Sequence, residues 1–293
     1  MEFFKLRLKT AILSVILIFT LSNGIVFAQS SYDWLNLDTV KAGKFDNGKM
    51  WTFDFPPTDY FEDEYNFSPG DEWFDNVRLA ALRFANYCSA SFVSADGLVM
   101  TNHHCARMTI TQITREDEDL HKDGFIAGTL EDERPVPGLY VDQLVLIEDV
   151  TDEIHDAVDE GITDEEKLEI EFNKITEIEE RYAEETGLDV SITPLYYGGK
   201  YSLYGYKRYT DVRLVFAPES QAGFFGGDPD NFTYPRYNLD CSFYRVYDED
   251  GNPLQTDNFL KWSENGIKAG DAVFVVGNPG STNRLRTVSQ LEY

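Results

Sequence analysis

Apolar positions along the chain change period several times, and each change predicts an element. Residues 11–21 (AILSVILIFTL) are an apolar run, preceded by Lys5, Arg7 and Lys9 and followed by Val26-Phe27-Ala28 before Gln29. That order is a secretory leader, cleaved after Ala28. The run is shorter than the ~20 residues that span a hydrocarbon core, so removal of residues 1–28 is expected over retention as an anchor. Residues 29–70 are aromatic and acidic without a clean period and read as an N-terminal arm holding short pieces of structure. From Ser68-Pro69-Gly70-Asp71 the spacing turns helical: Trp73, Val77, Ala80, Ala81 and Phe84 predict a helix ending near Asn86. Two β-prone runs follow, Cys88–Ser94 and Leu98–Thr101, joined across Ala95-Asp96-Gly97, with Asp-Gly a preferred hairpin turn. The hairpin is expected to deliver Thr101-Asn102-His103-His104-Cys105 at its end.

Between about Asp149 and Gly187 the pattern is helical again. Leu168, Phe172, Ile175, Ile178 and Tyr182 share one face of a strongly acidic stretch, and Gly187 is placed to stop it. A solvated helix face explains these carboxylates better than a cation or basic-partner site. Strand-like segments follow at 188–197, 201–209, 212–217, 241–247 and 272–276, with Asp250-Gly251-Asn252-Pro253 a turn between two of them. The expected fold class is therefore mainly β with a helical insertion at about 150–187. No repeat or low-complexity tract is visible.

With 42% hydrophobic and 14% aromatic residues among 293, the chain can bury a sizeable core. Lys and Arg number 25 against 52 Asp and Glu, a net charge of -27 that repels phosphate backbones and excludes nucleic acid as a partner. An odd count of three cysteines allows one bridge and one spare thiol.

Four histidines, at 103, 104, 121 and 155, narrow the search for chemistry. An imidazole can serve as general base near neutral pH when its second ring nitrogen is held by a carboxylate, although a turn histidine capping local backbone is an open alternative. A bridge between Cys88, before the hairpin, and Cys105, after the histidines, would clamp the platform under the imidazole, and an exported protein permits it. Zinc is not expected: adjacent His103 and His104 do not easily reach one tetrahedral ion, and no Cys-x-x-Cys or His-x-x-x-His spacing occurs. A calcium loop beginning at Asp228 fails on register, because Thr233 stands where glycine is needed and Leu239 where glutamate is needed. No metal or cofactor is expected. Cys241 reads as a small residue on a strand, with a catalytic thiol the lesser alternative.

The segment CSASFVSADGLVMTNHHC, residues 88–105, resembles the histidine region of chymotrypsin-like serine peptidases and, more narrowly, the bacterial dipeptidyl-peptidase family that contains dipeptidyl-peptidases 7 and 11. A second signature, GGDPDNFTYPRYNLD at 226–240, is similar to the acid region of the same family, with Phe232, Tyr234 and Tyr237 standing where Trp, Trp and His are common. The resemblance implies a chymotrypsin-like first β-barrel over residues 71–286. It makes His104 the general base, Asp240 the acid that orients it, His103 a structural neighbour, and Asn231 with Phe232 the grip on a peptide's free N-terminus. An ammonium suits such an amide oxygen and aromatic wall.

A nucleophilic serine in a Gly-x-Ser-Gly turn is missing from the sequence. Gly277-Asn278-Pro279-Gly280-Ser281 is the nearest look-alike and resembles instead the family's Gly-x-Pro-Gly segment, which precedes a large helical domain. Residues 287–293 then read as the start of a truncated following domain. The second barrel and the helical domain are expected outside this chain, which alone would be inactive. The partners expected are oligopeptide substrates, with a homodimer as the assembly open to it, and neither nucleic acid nor, after leader removal, a membrane; the site of action is periplasmic or secreted. The competing readings are a non-catalytic exported peptide-binding protein and an endopeptidase.

Overall fold

A computed structural model describes residues 49–224, 238–278 and 288–289. The leader at 1–28, residues 29–48 of the arm, Asn231 and Phe232 of the second signature, and Ser281 lie outside the described residues. One compact unit takes in Thr52–Tyr293.

Its centre is a sheet of ten antiparallel strands. They are β1 (Ala81–Phe84), β2 (Cys88–Phe92), β3 (Leu98–Thr101), β4 (Phe125–Ile126), β5 (Arg134–Pro135), β6 (Val141–Asp149), β7 (Asp189–Leu195), β8 (Lys200–Tyr209), β9 (Val212–Ala217) and β10 (Ser242–Val246). The order across the sheet is β4-β9-β10-β3-β2-β1-β6-β8-β7, with β5 also pairing with β9. Helices are α1 (Thr58–Tyr65), α2 (Asp71–Ala80), α3 (His103–Ile113), α4 (Leu120–Asp123), α5 (Thr151–Val158), α6 (Asp164–Thr186) and α7 (Ser220–Gly223). Among the described residues no helix is long and apolar enough to cross a membrane.

The β2–β3 hairpin forms as its pattern predicts, with Phe92 opposite Val99 and Ala90 opposite Thr101. Gly97 turns it at φ +72°, where a Cβ would come within 2.9 Å of the Val246 and Leu254 carbonyl oxygens, so only glycine fits both the backbone and the space. The helix expected to reach Asn86 stops at Ala80. Leu82 and Phe84 are buried on alternate positions of β1, which is paired on both sides, by β2 and β6. Helical and strand spacing coincide at Ala80 and Phe84, and two ladders of tertiary hydrogen bonds decide for the strand.

The helical insertion is two helices. α6 starts on a capping box in which Thr163 Oγ1 accepts from the Glu166 N–H while the Glu166 carboxylate accepts from the Thr163 N–H, and it ends at Gly187 in the left-handed region. Residues 272–276, expected as a strand, join no ladder. Phe274 instead packs edge-on against Phe61 of α1 and Trp73 of α2, while Val273 and Val275 are exposed.

Two apolar clusters result. The larger joins Phe84, Phe92, Val99, Val141, Leu214 and Tyr244 of the sheet to Cys105, Ala106, Ile110 and Ile113 of α3. The smaller joins Ile154 of α5 and Ile178 of α6 to Ile192 and Leu203 of β7 and β8.

Candidate functional site

The chain leaves β3 at Thr101 and enters α3 two residues later, so the two histidines open a helix instead of hanging from a hairpin end. Ala106, Ile110 and Ile113, at i, i+4 and i+7, are buried in the larger cluster and hold that helix against the sheet. Cys105 is bridged to Cys88, with the Cα atoms 6.2 Å apart, which ties the first turn of α3 to the start of β2.

Asp240, just before β10, meets the beginning of α3. Its Oδ1 accepts from the His104 N–H at 3.0 Å, its Oδ2 lies 2.7 Å from His104 Nδ1, and the Asn102 side-chain amide donates to its Oδ2 at 3.3 Å and to its carbonyl oxygen at 3.2 Å. Asn102 is the residue preceding the helix, yet it makes no side-chain cap of its own. Asp240 takes the capping position from across the fold. The first N–H groups of a helix lack intrahelical acceptors and carry the positive end of its dipole, so a carboxyl side chain suits this point, and both Asp240 oxygens are engaged there.

The His104 side chain remains 51% exposed while that of Asp240 is 14% exposed. A charged acceptor on Nδ1 selects the tautomer protonated there, which leaves Nε2 with its lone pair, and among the described residues Nε2 has no hydrogen-bond partner. The pair is therefore arranged for an imidazole to accept a proton at Nε2 while the carboxylate steadies the resulting charge.

Most of the neighbouring cysteines and histidines are engaged elsewhere. The sulfurs of Cys88 and Cys105 and a ring nitrogen of His104 lie within 4.8 Å of one another, a cluster that could hold a metal if the sulfurs were thiolates; joined in a disulfide, they are not. Burial, and secondarily the Asp240 charge, push the Cys241 thiol above its ordinary range, so it is held in its less nucleophilic form. His121 bridges Thr111 and Ser220, and His155 Nε2 donates to the Gly198 carbonyl oxygen at 2.8 Å, so both serve local structure. His103 is 1% exposed, and burial lowers its pKa; Asp240 pulls against that, while Arg107, His121 and His104 reinforce it.

Two parts of the site carry no expectation from pattern. One is Asn102, for which the available signal is an Asn directly ahead of apolar positions at helical spacing. The other is the turn at α7, where the Ala222 carbonyl oxygen accepts from the Leu239 N–H at 2.7 Å and so fixes the residue before Asp240. The sequence separation of these partners gives no local signal.

The family description Peptidase S46 matches residues 45–293. Dipeptidyl-peptidase 7 of Phocaeicola vulgatus is 37% identical over 224 residues, which cover 71% of this chain and 31% of that protein. An Asp/Glu-specific dipeptidyl-peptidase of Shewanella putrefaciens is 35% identical over 225 residues, covering 71% and 30%. Among solved structures, Porphyromonas endodontalis DPP11 in complex with the dipeptide Arg-Glu superposes with a TM-score of 0.56 at 31% identity, over 66% of this chain and 31% of that one. The chain thus spans about 31% of the length of the curated relatives it matches.

Proposed function

Because the chain belongs to the Peptidase S46 family, we propose that it is the N-terminal part of an exported serine exopeptidase that releases dipeptides from the free N-terminus of oligopeptides. The observation that carries this reading is the 2.7 Å contact between His104 Nδ1 and Asp240 Oδ2 beneath a half-exposed ring. His104 acts as general base through Nε2, removing the proton of a serine hydroxyl as it attacks the scissile carbonyl, and later returns that proton to the leaving amine. Asp240 holds the tautomer and stabilises the imidazolium without itself taking the proton.

The nucleophilic Ser and the backbone donors of an oxyanion hole belong, in this reading, to the portion of the relatives' length that this chain does not span, so the chain alone hydrolyses nothing. Asn231 and Phe232 hold the peptide ammonium. In sequence they lie between Ala222 and Leu239, which share a hydrogen bond. Residues 71–286 form the first barrel of a chymotrypsin-like pair, and residues 1–28 direct export to a compartment where the Cys88–Cys105 bridge persists. Some of the dipeptidyl-peptidases among the relatives are named Asp/Glu-specific and others are not, and the side-chain preference belongs, in this reading, to a pocket outside this chain.

The test is hydrolysis by the full-length protein of a peptide set offered with free and with acetylated N-termini. Release of dipeptides from the free set alone, abolished by His104→Ala, is expected. Equal cleavage of the acetylated set would make it an endopeptidase, and binding without cleavage a peptide carrier.

A further inference from the structure

His103 is an oddity next to the site. Its ring is fully enclosed at 1% exposure, and among the described residues neither Nδ1 nor Nε2 has a hydrogen-bond partner. The ring lies against the backbone of Gly223, so closely that a Cβ on that glycine would come within 2.7 Å of His103 Cγ and 2.8 Å of Cε1. No real Cβ makes such contacts, and the imidazole is not the end of a flexible chain that could swing aside.

Gly223 closes the α7 turn, which is held tightly. The Glu219 carboxylate accepts from the Gln221 and Ala222 N–H groups at 2.7 Å each, the Glu219 carbonyl oxygen accepts from the Gly223 N–H at 3.0 Å, and Ser220 is bonded to His121. From Ala222 the tie to Leu239 leads directly to Asp240, which returns to Asn102 and His104 on the first turn of α3. The contacts form a closed circuit that starts at His103 and ends at its chain neighbour.

We propose that His103 and Gly223 are positioning residues for Asp240: the ring, seated on the glycine backbone, sets the place of the α7 turn, and the Ala222–Leu239 hydrogen bond passes that place to the carboxylate. The role of these two residues in rate rests on the peptidase reading above; their role in the geometry does not. A ring fits the task because it is flat and rigid. Enclosure, the largest influence on it, favours its uncharged form, which Arg107, His121 and His104 reinforce and Asp240 opposes. The base at His104 therefore has no cationic neighbour in the adjacent position.

The measurement is the low-field Nδ1–H proton resonance of His104 in the 293-residue chain, which reports its bond to Asp240, paired with kcat and KM of the full-length enzyme. Gly223→Ala is expected to remove that resonance or move it upfield, and to lower kcat at least about tenfold while KM changes less than about twofold. His103→Ala, which takes the ring off its seat, is expected to shift the resonance and lower kcat likewise, whereas His103→Phe, which keeps a flat ring, leaves both in place. An unchanged resonance in a folded Gly223→Ala overturns the proposal, as does an unchanged resonance in His103→Ala. If Gly223→Ala does not fold, His103→Ala alone decides: a shifted resonance supports the proposal and an unshifted one overturns it. A full-length protein without peptidase activity whose resonance follows this pattern refutes the peptidase reading and leaves the positioning role standing.

Discussion

Helices α3 and α6 solve the same problem at their first turns by opposite means. α6 is capped within four residues of sequence, by Thr163 and Glu166 reciprocally. The first turn of α3 is capped by Asp240, 136 residues beyond His104. A local cap stabilises only the helix that carries it. A distant one makes the start of a helix, the placement of a strand and the orientation of an imidazole a single event, so folding of the sheet core and readiness of the site cannot be separated.

The largest effect that separates the two helices is expected at the distant cap. Asp240→Asn in the full-length enzyme should lower kcat by on the order of 10⁴-fold, since an amide selects the wrong imidazole tautomer, whereas Thr163→Ala should leave kcat unchanged; steady-state kinetics on a free-amine peptide decides. A kcat indifferent to Asp240→Asn would reduce the two caps to the same structural role. Next comes the bridge beside α3. Opening the 17-residue separation between Cys88 and Cys105 by Cys88→Ser/Cys105→Ser should cost about 3 kcal/mol, read as a lowered denaturation midpoint, with the His104 resonance broadened because the helix start is no longer fastened to β2.

A smaller effect is expected at the local cap. Thr163→Ala should cost about 1 kcal/mol by denaturant melting. The His104 resonance should not change; if it did, the insertion would be coupled to the site after all. The smallest is a titration. Backbone N–H groups of Thr163 and, next, Ile162 hold the Glu166 carboxyl below its ordinary value of 4.5. A carboxyl depressed on folding adds stability above its unfolded pKa and loses it as pH falls through the folded one. The Glu166 carboxyl carbon followed by NMR should accordingly titrate below 4.5, and a midpoint at or above that value would remove the capping box from solution.

The same contrast sets how much was legible in the sequence. The hairpin at Asp96-Gly97, the acidic helix ending at Gly187 and strands β7 to β10 announce themselves because their signals are local in turn residues and period. The start of α3 does not, since Asn102 gives its amide to Asp240 instead of to its own helix. Strand β6 is hidden for a related reason. Asp142 and Gln143 are buried on it, the first paired in two hydrogen bonds with Arg208, the second bonded to the Leu79 carbonyl oxygen and to Tyr209, and polar residues at core positions erase the alternation that betrays a strand. The dyad itself emerged only through resemblance: spacing carries no information that residues 104 and 240 meet.

Ala222 and Leu239 are already joined, so the stretch of chain between them begins and ends at one point. Doubling the length of such a loop costs only about 0.6 kcal/mol of closure entropy. Insertions, deletions and exchanges there can accumulate over evolutionary time while Asp240 keeps its address. On the peptidase reading proposed above, the His104–Asp240 pair and the residues proposed to hold the peptide ammonium are thereby free to evolve at different speeds.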